Sequence, residues 1–390
     1  MMRFLLRRLM DLPLTVLLLV SLIWVVLELQ PGEFAQAYLG GALSPQYREF
    51  LAEKMGLDAP AWERYLIFIK NAFTGELGVS LINFPKPVWD TILELLPRTM
   101  SLFFASFFIQ LFVGYFLGQR LGWRQGRALD RIGTVLCALM WCVFLPLLSS
   151  LIIWVFNGVL KILPYAQFID VSVARKYPDV DRNLTLLVIM GVAATMMIVL
   201  LLVQRRLRRL NRPGVKAGAM ALLLLGCGGA FSLWLIFTPM GSVALSILHH
   251  MVAPVLTLTL LGAGFYALLM RDSMVQAAQE DYVQLAKAKG LKDHLVRRRH
   301  AARNAILPLA TSFLLAMAFT FDSAVLVEST FSWPGLGNAL FRSLSGRGDM
   351  PVAVGIMIFL MAIASVAHLC LDVLYAYLDP RIRDRYAGVK

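Results

Sequence analysis

Eight stretches without Asp, Glu, Lys or Arg run through the sequence, and they decide which folds are open to the chain. They lie at 12–27, 99–119, 132–160, 183–204, 217–248, 251–270, 304–321 and 350–371. A helix needs about 20 apolar residues to cross a bilayer. Only the first and seventh stretches are shorter, and each extends past one acidic residue, Glu28 or Asp322. The sequence therefore predicts an all-α integral membrane protein with about eight transmembrane helices.

The formal net charge of +13 raises the question of a nucleic acid partner. If the N-terminus is cytoplasmic and the chain then alternates, about two thirds of the Lys and Arg residues fall in cytoplasmic segments. These segments are 1–11, 119–131, 204–216, 271–304 and 379–390. Positive residues favour the cytoplasmic side of membrane proteins, and no base-reading groups accompany this charge. We therefore expect cytoplasmic N- and C-termini, contact with membrane lipid and no nucleic acid partner.

Residues that could carry chemistry are scattered. The four cysteines lie in apolar stretches, where thiols are best interpreted as small buried hydrophobic groups; they are Cys137, Cys142, Cys227 and Cys370. The five histidines form no metal-ligand cluster; they are His249, His250, His294, His300 and His368. No phosphate-binding GxxxxGK[ST] motif and no His-Glu-x-x-His motif occurs. We expect no enzyme, no metal and no cofactor on this chain.

The N-terminal region divides at residue 30. Arg3, Arg7 and Arg8 precede an apolar run, and Ala35-Gln36-Ala37 follows it, which imitates a cleavable signal peptide. The apolar run is longer than a signal core, so we interpret 1–30 as an uncleaved transmembrane helix. Residues 31–98 are predicted to be extracytoplasmic, with short helices at 44–57 and 62–73.

The segment EDYVQLAKAKGLKDHLVRRRHAARNAILP, residues 280–308, belongs to a cytoplasmic loop at 271–303. Acidic residues open its first helix, lysines close it, and Gly290 supplies a position that tolerates a left-handed cap. Tyr282, Leu285, Ala286 and Lys289 are spaced three or four apart, which predicts one mildly apolar face. A basic second helix leads into the next span, where Pro308 is a kink point. This pattern fits either a docking element for a soluble partner or a solvated loop that holds topology.

Within this loop, QLAKAKG followed by RHAARNAILP resembles the EAA-type coupling signature of binding-protein-dependent ABC importer permeases. In that family the loop inserts into a cleft on an ATPase subunit. Gln284 stands where the general signature has glutamate, which departs from the pattern. The resemblance implies an ATPase-coupling role for Tyr282, Leu285, Ala286, Ala288, Gly290, Leu291, His300, Arg303, Asn304 and Pro308.

Other segments are similar to the dipeptide and oligopeptide branch of these permeases. They are PGEFAQAYLGG (31–41), GLDAPAWERYLIFIKNAFTGELGVSL (56–81), LPRT (96–99), VESTFSWPGLGNAL (327–340) and LDVLYAYLDPRIR (371–383). The resemblance implies a type I permease fold with a transmembrane domain at 99–383. Family members have six spans, so 172–248 is interpreted as an inserted two-helix hairpin.

The function that the resemblance implies is ATP-driven import of peptides across a prokaryotic inner membrane by alternating access. The implied partners are a second homologous permease subunit, two ABC ATPase subunits that hold ATP and Mg, and an extracytoplasmic solute-binding protein. Import of nickel or another small solute is an alternative. A self-sufficient secondary transporter and a membrane-embedded enzyme are further alternatives; the first needs paired intramembrane carboxylates and the second a catalytic cluster.

A few polar and aromatic residues are candidates for the pathway or its frame. Asp322, near the outer end of a span, either faces the translocation cavity or reaches interfacial water. Arg271 and Asp372 lie near the cytoplasmic boundary and are predicted to pair across helices. The outer loop is predicted to be rigid, with an aromatic ring at headgroup depth; its residues are Trp333, Pro334, Gly335 and Gly337.

Overall fold

A computed structural model describes six stretches of the chain, namely 2–29, 59–164, 167–207, 213–318, 323–345 and 348–378. In these stretches the structure is helical apart from turns and one isolated β-bridge, between Val79 and Pro87. The predicted helix at 44–57 and residue Asp322 lie outside the described residues. The all-α class predicted from the apolar stretches is confirmed.

Fifteen α-helices and two π-helical segments occur in these stretches. The helices are α1 Met2–Glu28, α2 Ala61–Thr74, α3 Val88–Trp123, α4 Ala128–Cys142, α5 Leu145–Ile152, α6 Val171–Lys176, α7 Arg182–Leu207, α8 Pro213–Phe237, α9 Pro239–Gln279, α10 Asp281–Ala288, α11 Asp293–Leu295, α12 Ala302–Ala318, α13 Ala324–Thr330, α14 Leu336–Leu344 and α15 Met350–Leu378. The π-helical segment Ile153–Val159 extends α5, and Val296–Ala301 joins α11 to α12.

Four of these helices are long and apolar enough to cross a membrane over their described residues: α3, α7, α9 and α15. The bent pair formed by α4 and the extended α5 adds a fifth crossing if it is one span. Two other apolar stretches, Pro13–Glu28 and Leu225–Phe237, are shorter. The total of eight spans therefore stays a prediction.

The apolar stretch 132–160 is not the single continuous span that its composition predicts. Helix α4 ends at Cys142, Val143 and Phe144 are extended, and α5 begins at Leu145 with a bend of 103° between the two segments. Pro146 lies in the first turn of α5. Proline is accepted in a first turn but breaks a helix interior, because its ring clashes with the preceding turn and it has no N–H. A new helix therefore starts here.

Helices α3 and α9 pack backbone against backbone along a stripe of glycines. A Cβ atom on Gly114 would lie 2.5 Å from Tyr266 Cβ, and one on Gly118 would lie 2.4 Å from the Ala267 carbonyl oxygen. Gly122 continues the stripe, because residues four apart share one helix face. Small residues at this spacing let membrane helices approach closely. The two longest helices of the described chain are therefore tightly apposed.

The predicted hairpin 172–248 contains α6, α7, α8 and the start of α9. Arg98 on α3 donates from Nε to the Asn183 side-chain oxygen on α7 at 2.8 Å, and Leu186 beside it is fully buried. Most of the apolar α7 side chains that follow are exposed. The hairpin is thus fixed to the bundle at the Arg182 end of α7, and the described rest of α7 presents apolar side chains outward.

The N-terminal helix α1 is held by α2 and α15. The Ser21 hydroxyl hydrogen-bonds the Tyr65 hydroxyl at 2.7 Å, and Arg64 donates to Glu28 at 2.5 Å. Helix α2 confirms the helix predicted at 62–73, and Gly75 ends it with a φ of 79°. Helix α2, in the region predicted to be extracytoplasmic, is therefore attached to the first helix through polar contacts.

Candidate functional site

Helix α10, in the predicted coupling loop, begins and ends where the sequence indicates. Asp281 lies in its first turn and Lys287 in its last, and both charges suit the helix dipole. Gly290 follows with a φ of 74°, and no described atom lies within 4 Å of a Cβ built on it. The glycine is needed for the left-handed backbone and not for lack of space. The predicted glycine turn is confirmed.

Helix α10 has one inner and one outer face. Val283 and Ala286 are buried in the same cluster as Met274 of α9. Tyr282 is 36% exposed and Leu285 is 56% exposed. The prediction that Tyr282, Leu285, Ala286 and Lys289 share one mildly apolar face is wrong for Ala286, which is buried while the other three are exposed. Ala286 lies one turn from Val283, and its small side chain lets α10 approach α9.

An apolar patch remains on the side of the loop that faces away from α9. It consists of Tyr282, Leu285 and Leu291, and Leu291 is 41% exposed. We call these three residues the coupling patch. Basic side chains surround it in the sequence, and exposed apolar groups rimmed by polar ones are typical of protein contact sites.

The remaining predicted coupling residues lie in several environments. Ala288 and Gly290 are exposed beside the coupling patch, and His300 is half-buried in the π-helical segment. Val296 and Ala301, at the two ends of that segment, are buried in the core cluster. Beyond it, an exposed group lies on α12, composed of Arg303, Asn304 and Pro308. The structure thus places Tyr282, Leu285 and Leu291 on one short helix and its turn, whereas the α12 residues follow a π-helical connection that is buried only at its two ends.

Trp123, the last residue of α3, contacts the same loop. Its indole N–H donates to the Asp293 carboxylate at 2.8 Å, and the Lys287 ammonium lies 5.2 Å from the centre of the ring. Sequence reasoning missed this residue. The contact joins residues 170 positions apart, and a tryptophan at the end of a helix gives no sign of its partner.

Arg271 on α9 pairs with Asp130 on α4. Its Nε–H donates to one carboxylate oxygen at 2.6 Å, and a terminal nitrogen donates to the other at 2.9 Å. A further bond at 2.8 Å reaches Asp272. The sequence predicted Asp372 as the partner; its side chain lies outside the described residues, and Arg271 already has two carboxylates.

The tryptophan of the predicted outer loop is not at the surface. Trp333 is fully buried, its indole N–H donates to the Arg98 carbonyl oxygen at 3.1 Å, and its ring lies 4.8 Å from Phe168. Trp333 therefore packs inside the protein, and its predicted position at headgroup depth stays a prediction. Pro334 is half-buried, and it fixes the turn between α13 and α14.

Glycines allow this outer loop to close around Glu328. A Cβ on Gly335 would lie 2.3 Å from a Glu328 carboxylate oxygen, and one on Gly337 would lie 2.5 Å from the Val325 nitrogen. The other Glu328 oxygen accepts from the backbone N–H groups of Gly337 at 2.8 Å and Asn338 at 3.1 Å. Glu328 thus caps the N-terminus of α14, a role that sequence reasoning missed.

Burial decides the ionisation of Glu328. The side chain is fully buried, and burial raises its pKa to about 7, opposed by hydrogen bonds from Thr99 and from the amides of Asn338 and Gly337. Its Oε1 has no hydrogen-bond partner among the described residues. A carboxyl group in this position is protonated far more readily than one in water.

Two sequence profiles match the chain over nearly its whole length. That of the binding-protein-dependent transport system inner membrane component matches residues 110–384, and its N-terminal companion matches residues 1–103. The chain belongs to this family of transport permeases. This permease is therefore a multi-pass inner-membrane subunit, in agreement with its long apolar helices.

Curated relatives of the permease cover almost its whole length. The dipeptide transport system permease of Lactococcus lactis is 27% identical over 384 residues, 98% of this chain and 100% of the relative. The oligopeptide transport system permease of Bacillus subtilis is 26% identical over 383 residues, 96% and 97% of the two chains. The glutathione transport system permease of Escherichia coli is 25% identical over 383 residues, 98% and 99% of the two chains.

Cysteine and histidine placement in the permease differs in part from expectation. Cys137 is buried as predicted, whereas Cys142 and Cys370 are exposed on apolar helices. His250 is buried with its Nδ1 2.8 Å from the Ser246 carbonyl oxygen, and His249 is exposed. No group of three or more His, Cys, Asp or Glu residues that could hold a metal ion occurs within the described stretches.

Proposed function

We propose that this permease is the peptide-translocating subunit of an ATP-driven, binding-protein-dependent importer, and that the coupling patch is where an ATPase subunit docks. The exposed side chains of Tyr282 and Leu285 on a short helix, and of Leu291 in the turn after it, carry this proposal. The dipeptide, oligopeptide and glutathione transport names of relatives that align along almost the full chain support the peptide substrate.

The packing of α10 suits the transmission of a push or pull. The inner face of α10 is buried against α9 through Val283 and Ala286. Helix α9 is in turn apposed to α3 along the glycine stripe. A displacement of α10 by a docked ATPase would therefore move two long helices together, because a close-packed interior transmits displacement with little compression.

The proposed importer contains this chain, a second homologous permease subunit, two ABC ATPase subunits and an extracytoplasmic solute-binding protein. ATP and Mg are held by the ATPases. Closure of the ATPases opens the shared pathway outward to receive peptide, and hydrolysis returns it to the inward state. In this arrangement both termini of the permease are cytoplasmic, as the distribution of Lys and Arg favours.

Affinity purification of the tagged chain from its native membrane tests this function. We expect the wild-type chain to bring down a second permease and ATPase subunits, and vesicles containing the complex to accumulate labelled dipeptide only with ATP. Leu285→Ala combined with Leu291→Ala should release the ATPases and stop uptake. The matched control is Leu129→Ala, because Leu129 is 48% exposed and lies outside the loop.

Two results would refute the proposal. A wild-type chain that purifies alone and moves solute without ATP would instead be a self-sufficient transporter, and Asp322 would become the first residue to replace. If a complete complex accumulated nickel or another small solute in place of peptide, the importer function would be supported and the peptide substrate would be refuted.

A further inference from the structure

Local backbone hydrogen bonds, including one from the Lys289 N–H to the Leu285 carbonyl oxygen at 3.0 Å, close the turn at Gly290 but do not set its orientation relative to α3. Gly290 donates its N–H to the Lys287 carbonyl oxygen at 2.9 Å, and the Leu291 N–H reaches the Ala286 carbonyl oxygen at 3.4 Å. Residues 291–292 then run without helix into α11 at Asp293. The orientation of this turn therefore depends on contacts made with other parts of the chain.

Trp123 makes contacts on both sides of that turn. Lys287 precedes Gly290 and lies over the Trp123 ring, whereas Asp293 follows it and accepts from the indole N–H at 2.8 Å. A hydrogen bond to a carboxylate is stronger than a neutral one, and a cation above an indole ring is attracted to it. The Trp123 ring also packs against the buried cluster of α9 and α10.

We infer that Trp123 is a positioning residue that fixes the coupling patch relative to α3. The inference rests on the proposed function, because the patch is the surface assigned to the ATPase. It adds a second connection to the one through Val283 and Ala286: the inner face of α10 is held by α9, and the turn after α10 is held by the end of α3. With α3 and α9 already apposed at Gly122, the patch is tied to both.

Hydrogen exchange of residues 281–295 in the purified complex in lipid nanodiscs tests the positioning directly. Trp123→Ala removes the ring and its N–H, and we expect amide exchange in this segment to become about fivefold faster, as loss of one such bond plus a cation–ring contact predicts. Trp123→Phe keeps an aromatic ring and removes the N–H, so a smaller increase of about threefold is expected. Trp154→Ala is the matched control, because Trp154 is 64% exposed on another helix.

A double-mutant cycle assigns the effect to the contact with Asp293. Asp293→Ala should raise exchange about as much as Trp123→Phe, and the double variant should raise it no further than the larger single effect, because both remove one hydrogen bond. Independent, multiplying effects would overturn this contact as the cause.

Coupling between ATP hydrolysis and uptake is the second measurement. We expect Trp123→Ala to keep the ATPases bound and hydrolysing while the peptide accumulated per ATP falls several-fold, with substantial rescue in Trp123→Phe. Unchanged exchange in Trp123→Ala would overturn the inference whatever its uptake. If the Trp123→Ala complex kept all its subunits and showed faster exchange, but its uptake per ATP did not change, the coupling role would be overturned. A wild-type chain that binds no ATPase would instead refute the proposed function, and the exchange result would still report on the Trp123 contact.

Discussion

The guanidinium of Arg271 on α9 donates two parallel hydrogen bonds, 2.6 Å and 2.9 Å long, to the carboxylate of Asp130 on α4. The Asp130 side chain is 3% exposed and that of Arg271 is 21% exposed. The same carboxylate accepts from the Gly126 N–H at 2.9 Å. The pair therefore fixes the start of α4, and the turn before it, against α9.

Arg271→Ala should destabilise the permease strongly, because it leaves the buried Asp130 carboxylate without its cation. Removing one partner of a buried pair costs on the order of 3 kcal/mol, which a thermal unfolding midpoint in detergent detects as a clear drop. Asp272→Ala is the control: Asp272 is 64% exposed, and an exposed pair contributes at most about 1 kcal/mol. Equal shifts in the two variants would contradict the special role of Asp130.

Gly118→Ala should force α3 away from α9. A Cβ there would lie 2.4 Å from the Ala267 carbonyl oxygen, which is backbone and has no flexible end to move aside. Overpacking of this kind costs about 1–3 kcal/mol. The control is Gly191→Ala on α7, where no described atom lies within 4 Å and alanine favours the helix by about 1 kcal/mol. Thermal unfolding should fall in the first variant and hold or rise in the second.

Local features of this fold could be predicted from the sequence. Uncharged apolar stretches gave the helical membrane class, and the acidic start, lysine end and glycine of α10 gave its bounds, because these signals act within a few residues. The bend at Pro146 could also have been predicted, because proline interrupts a helix. The prediction of one continuous span gave more weight to the apolar composition of 132–160 than to this proline.

Contacts between distant residues could not be predicted in the same way. Arg271 lies 141 positions from Asp130, and Trp333 reaches a carbonyl oxygen 235 positions away. A charged or aromatic residue near a membrane boundary fits an exposed position as well as a buried one, and only packing decides. Ala286 shows the same limit at short range, since helical spacing allows it on either face of α10.

Glu328 should make stability depend on pH. Its pKa in the folded state is about 7, raised by burial from 4.5, so the folded state holds the proton more tightly than the unfolded chain. This contribution to stability is fully present below about pH 4.5 and is lost as pH rises through about 7. We expect the unfolding midpoint to fall over that range and Glu328→Gln to flatten the fall. An unchanged pH profile in that variant would contradict the assignment; Glu76→Gln, at an exposed residue, is the control.

Gly290→Val should disable coupling, whereas Gly290→Asn should largely preserve it. The glycine has a φ of 74° with no described atom near its Cβ position, so the cost comes from the left-handed backbone. That conformation costs an L-residue roughly 1–2 kcal/mol and asparagine less, because its side chain can hydrogen-bond locally. Valine should turn the coupling patch away and reduce ATP-dependent uptake while membrane insertion is unchanged. Gly75→Val is the matched control, since Gly75 has a φ of 79° and equally open space at the end of α2. If the valine substitutions at Gly290 and Gly75 reduced uptake equally, general turn strain would explain the loss and the coupling role of Gly290 would be rejected.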